Sequence, residues 1–207
     1  MSNYPNLVGV DTETAGFDPF KDSITELGSI KISPQGRVID KFISFAKPKH
    51  SIPQTIVELT GITDDHVKDA PSPVDVIMQW REWVGNDVVI LVGHNLPFDL
   101  KMLYAPLIEA NQKLPRFWAI DTLEWVKKYI PYKGKGTHKL DTLIEVIGYK
   151  PSSSHRACDD ALSSLKVMSY LIRKYENPKD LNELYGLYRK VGMWSNEMIP
   201  TFSKYFS

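Results

Sequence analysis

Apolar positions along the chain recur in two patterns, short runs bounded by turn residues and longer stretches at helical spacing, and together they predict the elements. Leu7 to Val10 is a short apolar strand, and Gly9 inside it marks close approach of another backbone or of a ligand. Residues 24–32 (ITELGSIKI) and 37–46 (RVIDKFISFA) read as two further strands. They flank the turn Ser33-Pro34-Gln35-Gly36, which predicts an antiparallel hairpin. From Pro48 to Pro73 the chain is irregular apart from short helical pieces such as PQTIVEL. Ser72-Pro73 then starts a helix, with Ser as cap, Pro at the first helical position, and Val74, Ile77, Trp80 and Val84 at helical spacing.

After the turn Gly85-Asn86-Asp87, VVILVGHN is a continuous apolar run and reads as a buried central strand. Residues 97–111 place Phe98, Met102, Leu103, Leu107 and Ile108 on one side of a helix. Ala119-Ile120 leads to Asp121, a cap for the helix TLEWVKKYI, and KLDTLIEVIG is a helix stopped by Gly148. From about Arg156 a long helix carries a narrow stripe of Ala157, Ala161, Leu165, Met168, Leu171 and Ile172. Asn177-Pro178 opens a further helix through Leu181, Leu184, Tyr185 and Tyr188, followed by an aromatic tail. Strands first, then strands separated by helices, predict an α/β domain with a mixed sheet flanked by helices.

Length and composition limit what such a domain does. The 207 residues, 43% hydrophobic and 24% charged, suit one ordinary globular domain and exclude a disordered or fibrous chain. No apolar run reaches the length of a bilayer span, and the N-terminus lacks a signal pattern, so the expectation is a cytoplasmic protein without a membrane partner. The single Cys158 excludes an internal disulfide and a multi-cysteine zinc site. With 25 basic and 25 acidic residues, any polyanion must be gripped locally. The best local patch is KKYIPYKGKGTHK, which reads equally as a solvated loop between helices.

The candidate chemistry begins at VGVDTETAG. Asp11 and Glu13 are two apart on a strand and face the same way, so their carboxylates repel unless a cation lies between them. Taken alone the pair also reads as a solvated turn. In VGHNLPFDLKML, Asp99 sits in the first turn of a helix, where the dipole favours its charge but where a purely structural Asp also belongs. His94 and Asn95 read as turn formers. In SSSHRACDDALSSL, small Ala157 and Ala161 permit the helix to dock closely, so that Asp160 reaches the Asp11/Glu13 end of the sheet and His155 stands over it from the solvent side. Asp159, about 100° around the helix, faces elsewhere. Four carboxylates with a histidine suit metal-assisted hydrolysis of a phosphodiester. Hard oxygen ligands select Mg²⁺ or Mn²⁺, two such ions can stabilise the attacking and leaving oxygens, and histidine can take a proton from water at neutral pH.

The segments VGVDTETAGFDP, VGHNLPFDLKML and HRACDDA resemble the three motifs of the DEDDh exonucleases, the family that includes DNA polymerase III epsilon-type proofreading exonucleases, ribonuclease T and oligoribonuclease. IPQTIVELTGITDDHVKDAPSP and AIDTL are similar as well, so the likeness spans about residues 6 to 175. It implies an RNase H-like fold with a central five-stranded mixed sheet over 1–175, followed by a helical and aromatic extension, 176–207, packed on the same domain. It also implies divalent-metal-dependent 3′-to-5′ removal of nucleoside 5′-monophosphates from single-stranded DNA or RNA ends, with DNA favoured. On that likeness Asp11, Glu13, Asp99 and Asp160 are ligands of two ions, and His155 is the general base. Thr14, Phe17 and Phe98 contact substrate, and a polymerase or a second copy of the chain is a further partner. Phe17 stands where Leu or Met is usual, and Thr55 and Thr60 stand where epsilon-type members carry Glu and His. Two competing readings use the same residues: a catalytically silent nucleic-acid-binding or polymerase-associated module, and an enzyme restricted to very short oligonucleotides.

Overall fold

Strand β1 (Asn6–Thr14) is longer than its apolar run and carries both Asp11 and Glu13 within its last turn of pleat. The structure, a computed structural model, describes residues 4–85, 88–152 and 155–206; the expected turn residues Asn86 and Asp87, and Ser153 and Ser154, lie outside the described residues. The remaining strands are β2 (Ile24–Ile32), β3 (Val38–Phe45), β4 (Val89–Gly93), β5 (Trp118–Asp121) and β6 (Met193–Trp194). They form one sheet in the order β3-β2-β1-β4-β5-β6. The first three make the expected antiparallel meander, β4 and β5 run parallel to β1, and β6 pairs antiparallel with β5.

The sheet therefore has six strands, where five were expected. The sixth is only two residues long, and no alternating run announces it. Trp118 lies opposite Trp194 in the ladder, and their rings meet edge to face at 5.4 Å. The C-terminal stretch thus completes an edge of the sheet as well as covering it.

The helices are α1 (Gln54–Thr60), α2 (Asp64–Val67), α3 (Pro73–Val84), α4 (Leu96–Glu109), α5 (Thr122–Tyr129), α6 (Leu140–Val146), α7 (Ala157–Leu171), α8 (Leu181–Val191) and α9 (Ser195–Met198). Alternation along the strands splits the core in two. Val8, Val10, Leu27, Leu91 and Ala119 pack with α3 and α4, joined by Ile199 and Phe202 from the C-terminal stretch. Leu7, Ile30, Ile90, Val92 and Ile120 pack with α5, α6, α7 and α8, where Tyr185 and Tyr188 are buried. Lys127 and Lys128 of the basic patch lie on α5, paired with Glu124 and Glu176. No helix among the described residues is long and apolar enough to cross a membrane.

Two features place a crevice beside the end of β1. Parallel pairing with β4 stops at Gly9–Val92, so residues 10–14 keep only β2 as a neighbour while β4 turns away into α4. Crevices at the carboxyl ends of parallel strands are the usual binding places in α/β sheets. Helix α7 then lies almost in contact with the sheet backbone. A Cβ built on Gly28 falls 2.1 Å from Cys158 N and 2.3 Å from Ala157 C, and one on Gly9 falls 2.8 Å from the Ala161 carbonyl oxygen. Glycine is required at both places by distance.

Gly28→Ala must push the amino end of α7 away from β2. The expected loss is about 1–3 kcal/mol, as for other overpacked cores, and a midpoint lower by about 2–4 °C per kcal/mol lost for a chain of this size. Thermal melts check it; a midpoint matching the parent would show that α7 does not seat on the Gly28 backbone.

Candidate active site

Three carboxylates meet at the crevice: one oxygen from each of Asp11, Glu13 and Asp160 lies within 4.8 Å of the other two. The first two come from alternate positions of β1, which face one way, and Asp160 comes from the first turn of α7, where Ala157 and Ala161 are fully buried. Asp159 is not one of the three, as the helix phase requires. Asp99 is buried in the first turn of α4. Its Oδ1 accepts the Thr12 backbone N–H at 2.9 Å and the Thr12 hydroxyl at 2.7 Å, which tie it to β1 between Asp11 and Glu13.

The electrostatics are those of crowded, desolvated acids. Burial, and after it the charges of Asp99, Asp160 and Glu13, push Asp11 well above the usual carboxylate range. Burial and then Asp160 raise Glu13 to about 8, while Arg156 pulls it the other way. Burial raises Asp99 to about 7 against the two Thr12 hydrogen bonds, and raises Asp160 to about 6 against the positive influence of His155. Asp160 Oδ1 is buried with no hydrogen-bond partner among the described residues. An orphaned buried oxygen beside two further carboxylates fits a hard divalent cation such as Mg²⁺ or Mn²⁺, and no soft ligand belongs to the set.

His155 precedes α7 in a left-handed backbone conformation, φ +55°, that sequence pattern does not reveal. Its backbone N–H donates to the Asp160 carboxylate, and its ring Nε2 lies 3.8 Å from Asp141 Oδ2 at the start of α6. Phe17 is 76% exposed, and its ring stands 6.2 Å from that of half-buried Phe98, the residue before Asp99. The Thr14 hydroxyl donates to the Gly16 carbonyl at 2.7 Å, so it shapes the turn that presents Phe17. His94 behaves as the expected turn former: its ring nitrogens contact Thr122 Oγ1 at 2.9 Å and the His138 carbonyl at 2.8 Å, and burial lowers its pKa. Asp121 caps α5 as expected. The same oxygen also accepts the Asn95 N–H at 2.9 Å, which joins the start of α4 to β5.

One feature escaped the sequence reading. Glu26 of β2, wholly buried, stands opposite Glu13 and binds Arg156 and the Ala157 N–H. Its only signal in the sequence is an acid beside the apolar Leu27 in a strand that opens and closes on Ile.

The profile of the RNase_T exonuclease family matches residues 8–168. Among curated relatives, DNA polymerase III PolC-type of Bacillus subtilis (strain 168) is 41% identical over 169 residues, covering 79% of this chain and 11% of that protein. The Oceanobacillus iheyensis protein of the same name is 36% identical over 178 residues, covering 86% of this chain and 12% of that one. The chain thus spans about an eighth of the length of these relatives. In fold it is similar to the nuclease domain of 3'hExo, a DEDDh family member bound to rAMP (TM-score 0.69, 19% identity, 85% of this chain and 96% of that one). It is also similar to Exonuclease X in complex with 5' overhanging duplex DNA (TM-score 0.64, 20% identity, 82% and 93%).

The raised carboxylates make the cation-free protein sensitive to pH. Groups that bind protons more tightly when folded contribute stability that is complete below their unfolded values, near 4, and is lost as pH rises through the folded values of about 6 to 8. In chelator the thermal midpoint should therefore fall between pH 5 and pH 8 less steeply for Glu13→Gln than for the parent, and the variant should be the more stable of the two at pH 8. Melts at both pH values check this, and a parent that keeps pace with Glu13→Gln at pH 8 contradicts it.

Proposed function

Because the chain belongs to the RNase_T exonuclease family, we propose that it removes nucleoside 5′-monophosphates one at a time from the 3′ end of single-stranded DNA, with Mg²⁺ or Mn²⁺ held by Asp11, Glu13, Asp99 and Asp160. The observation that carries this reading is the convergence of acids from β1 and α7, with Asp99 fixed beside them. When bound, the cations supply positive charge for the attacking and leaving oxygens of a phosphodiester displacement. Asp11, Glu13 and Asp160 would hold those ions at the end of β1, and Asp99 would complete the set from α4.

The imidazole of His155 accepts a proton from the attacking water. The Asp141 carboxylate, 3.8 Å from the ring Nε2, stabilises the imidazolium that results. Phe17 and Phe98 flank the terminal nucleotide, one ring exposed for stacking and the other braced by the core. The likeness to a segment of PolC-type DNA polymerases supports DNA as the polymer and a polymerase as the working partner, in an editing role.

Purified protein with Mg²⁺ or Mn²⁺ should release mononucleotides from oligonucleotides labelled at the 3′ end before any from the 5′ end. Release from neither DNA nor RNA with either ion would overturn the proposal. Asp160→Ala should lower turnover by roughly 100-fold or more, as loss of a transition-state group does, whereas Asp159→Ala should keep most of it. Equal losses would place the wrong acid in the crevice.

A further inference from the structure

We propose that Glu26 is a positioning residue for the same site, holding the amino end of α7, and with it Asp160 and His155, against β1. The inference rests on the exonuclease reading above. The cap position of α7 is Arg156, whose side chain has no acceptor, so the helix cannot satisfy its own first N–H groups in the usual way. A strand supplies the acceptor: Glu26 Oε2 takes the Ala157 N–H at 2.9 Å. The same carboxylate receives the Arg156 guanidinium on both oxygens, Nε at 3.1 Å from each and Nη2 at 2.5 Å from Oε1. Arg156 in turn lies over the Phe45 ring, 5.6 Å from its centre, so the fork is fixed from both sides.

Three observations tie this brace to the chemistry as well as to the fold. Glu26 lies directly opposite Glu13 in the β1–β2 ladder, so one side-chain face of the hairpin carries a cluster acid and the brace together. Arg156 immediately follows His155 and stands one helical turn before Asp160, whose backbone N–H donates to the Arg156 carbonyl at 3.0 Å. The contact also closes where α7 meets Gly28 with no room for a side chain, so a shift at Glu26 has no slack to absorb it. A carboxylate fully buried in a strand and fully paired costs less than one left unpaired, but a hydrophobic residue there would cost less still. Its position is explained by what it holds.

The test uses Glu26→Gln in the full chain, which keeps size and removes the charge and one acceptor. Mn²⁺ alone, titrated calorimetrically without nucleic acid, should bind roughly 10- to 100-fold more weakly than to the parent. Turnover should fall in the same range while KM stays within about threefold, the signature of a misplaced reacting group. A merely structural role would lower the melting midpoint and leave Mn²⁺ affinity unchanged. Arg156→Lys keeps the positive charge near Glu13 but loses the fork, and its side chain is 38% exposed, so it folds without Glu26→Gln having to. It should show the same two losses in smaller measure. If whichever of these variants folds matches the parent in Mn²⁺ affinity and turnover, the inference is overturned. A parent chain that neither binds Mn²⁺ nor degrades an oligonucleotide would instead sink the exonuclease reading itself.

Discussion

Mutual repulsion among the acids at the end of β1 is the constraint around which the molecule is arranged. Two full charges about 4 to 5 Å apart at an effective dielectric of about 20 repel by roughly 3 to 4 kcal/mol. Three such pairs among Asp11, Glu13 and Asp160 would approach the whole stability of a domain, about 5–15 kcal/mol. The acids therefore cannot all be ionised in the bare protein: burial first, and the neighbouring charge of Asp160 after it, raises Glu13 to about 8, and burial raises Asp160 to about 6. A fold that tolerates this must anchor separately the three elements that carry the acids, β1, α4 and α7, so that relaxation of one does not release the others.

The anchors are themselves carboxylates, and the contrast between the two kinds is informative. Asp121 accepts N–H groups from Asn95 and Leu123, joining the start of α4 to that of α5. Glu26 accepts from Ala157 and Arg156, fixing the start of α7. Glu26 accepts two bonds on each oxygen, and Asp121 accepts two on Oδ1. Asp160 Oδ1, one helical turn after the Arg156 that Glu26 holds, is left without a partner among the described residues. Buried polar atoms are paired as a rule, and on the proposed function this oxygen, beside two further carboxylates, is the one left open for a cation.

Much of this was legible along the chain because its causes are local. Asp11 and Glu13 share a face by strand period alone, Ser72 and Asp121 cap as their type prefers, and Gly9 signalled the close approach of α7. What stayed hidden is long-range or too short to have a period. Glu26 and Arg156 are 130 residues apart, and neither has a motif that names the other. Gly28 looks like any glycine in an apolar strand until α7 is laid on it. Two residues of β6 cannot show alternation, so nothing in the chain added a sixth strand to the five that the resemblance implied. The left-handed backbone at His155 leaves no trace in composition.

The neutral overall charge acquires a meaning once the ion pairs are placed. Lys127 and Lys128, which gave the basic patch much of its promise, already face Glu124 and Glu176, and Arg156, the guanidinium that acts on Glu13, is committed to Glu26. These cations offer little free charge to an approaching phosphate. On the proposed function, the bare acidic crevice repels the very group it is to cut, and the sign of its field must be reversed by the ions it binds. Grip on the polymer end and readiness for chemistry then depend on one event. Exposed surface pairs contribute little here because they are screened over about 8 to 10 Å, whereas charges in the crevice are not. On the proposed function, that difference lets a chain with no net charge hold a polyanion end at the acids of β1 and α7.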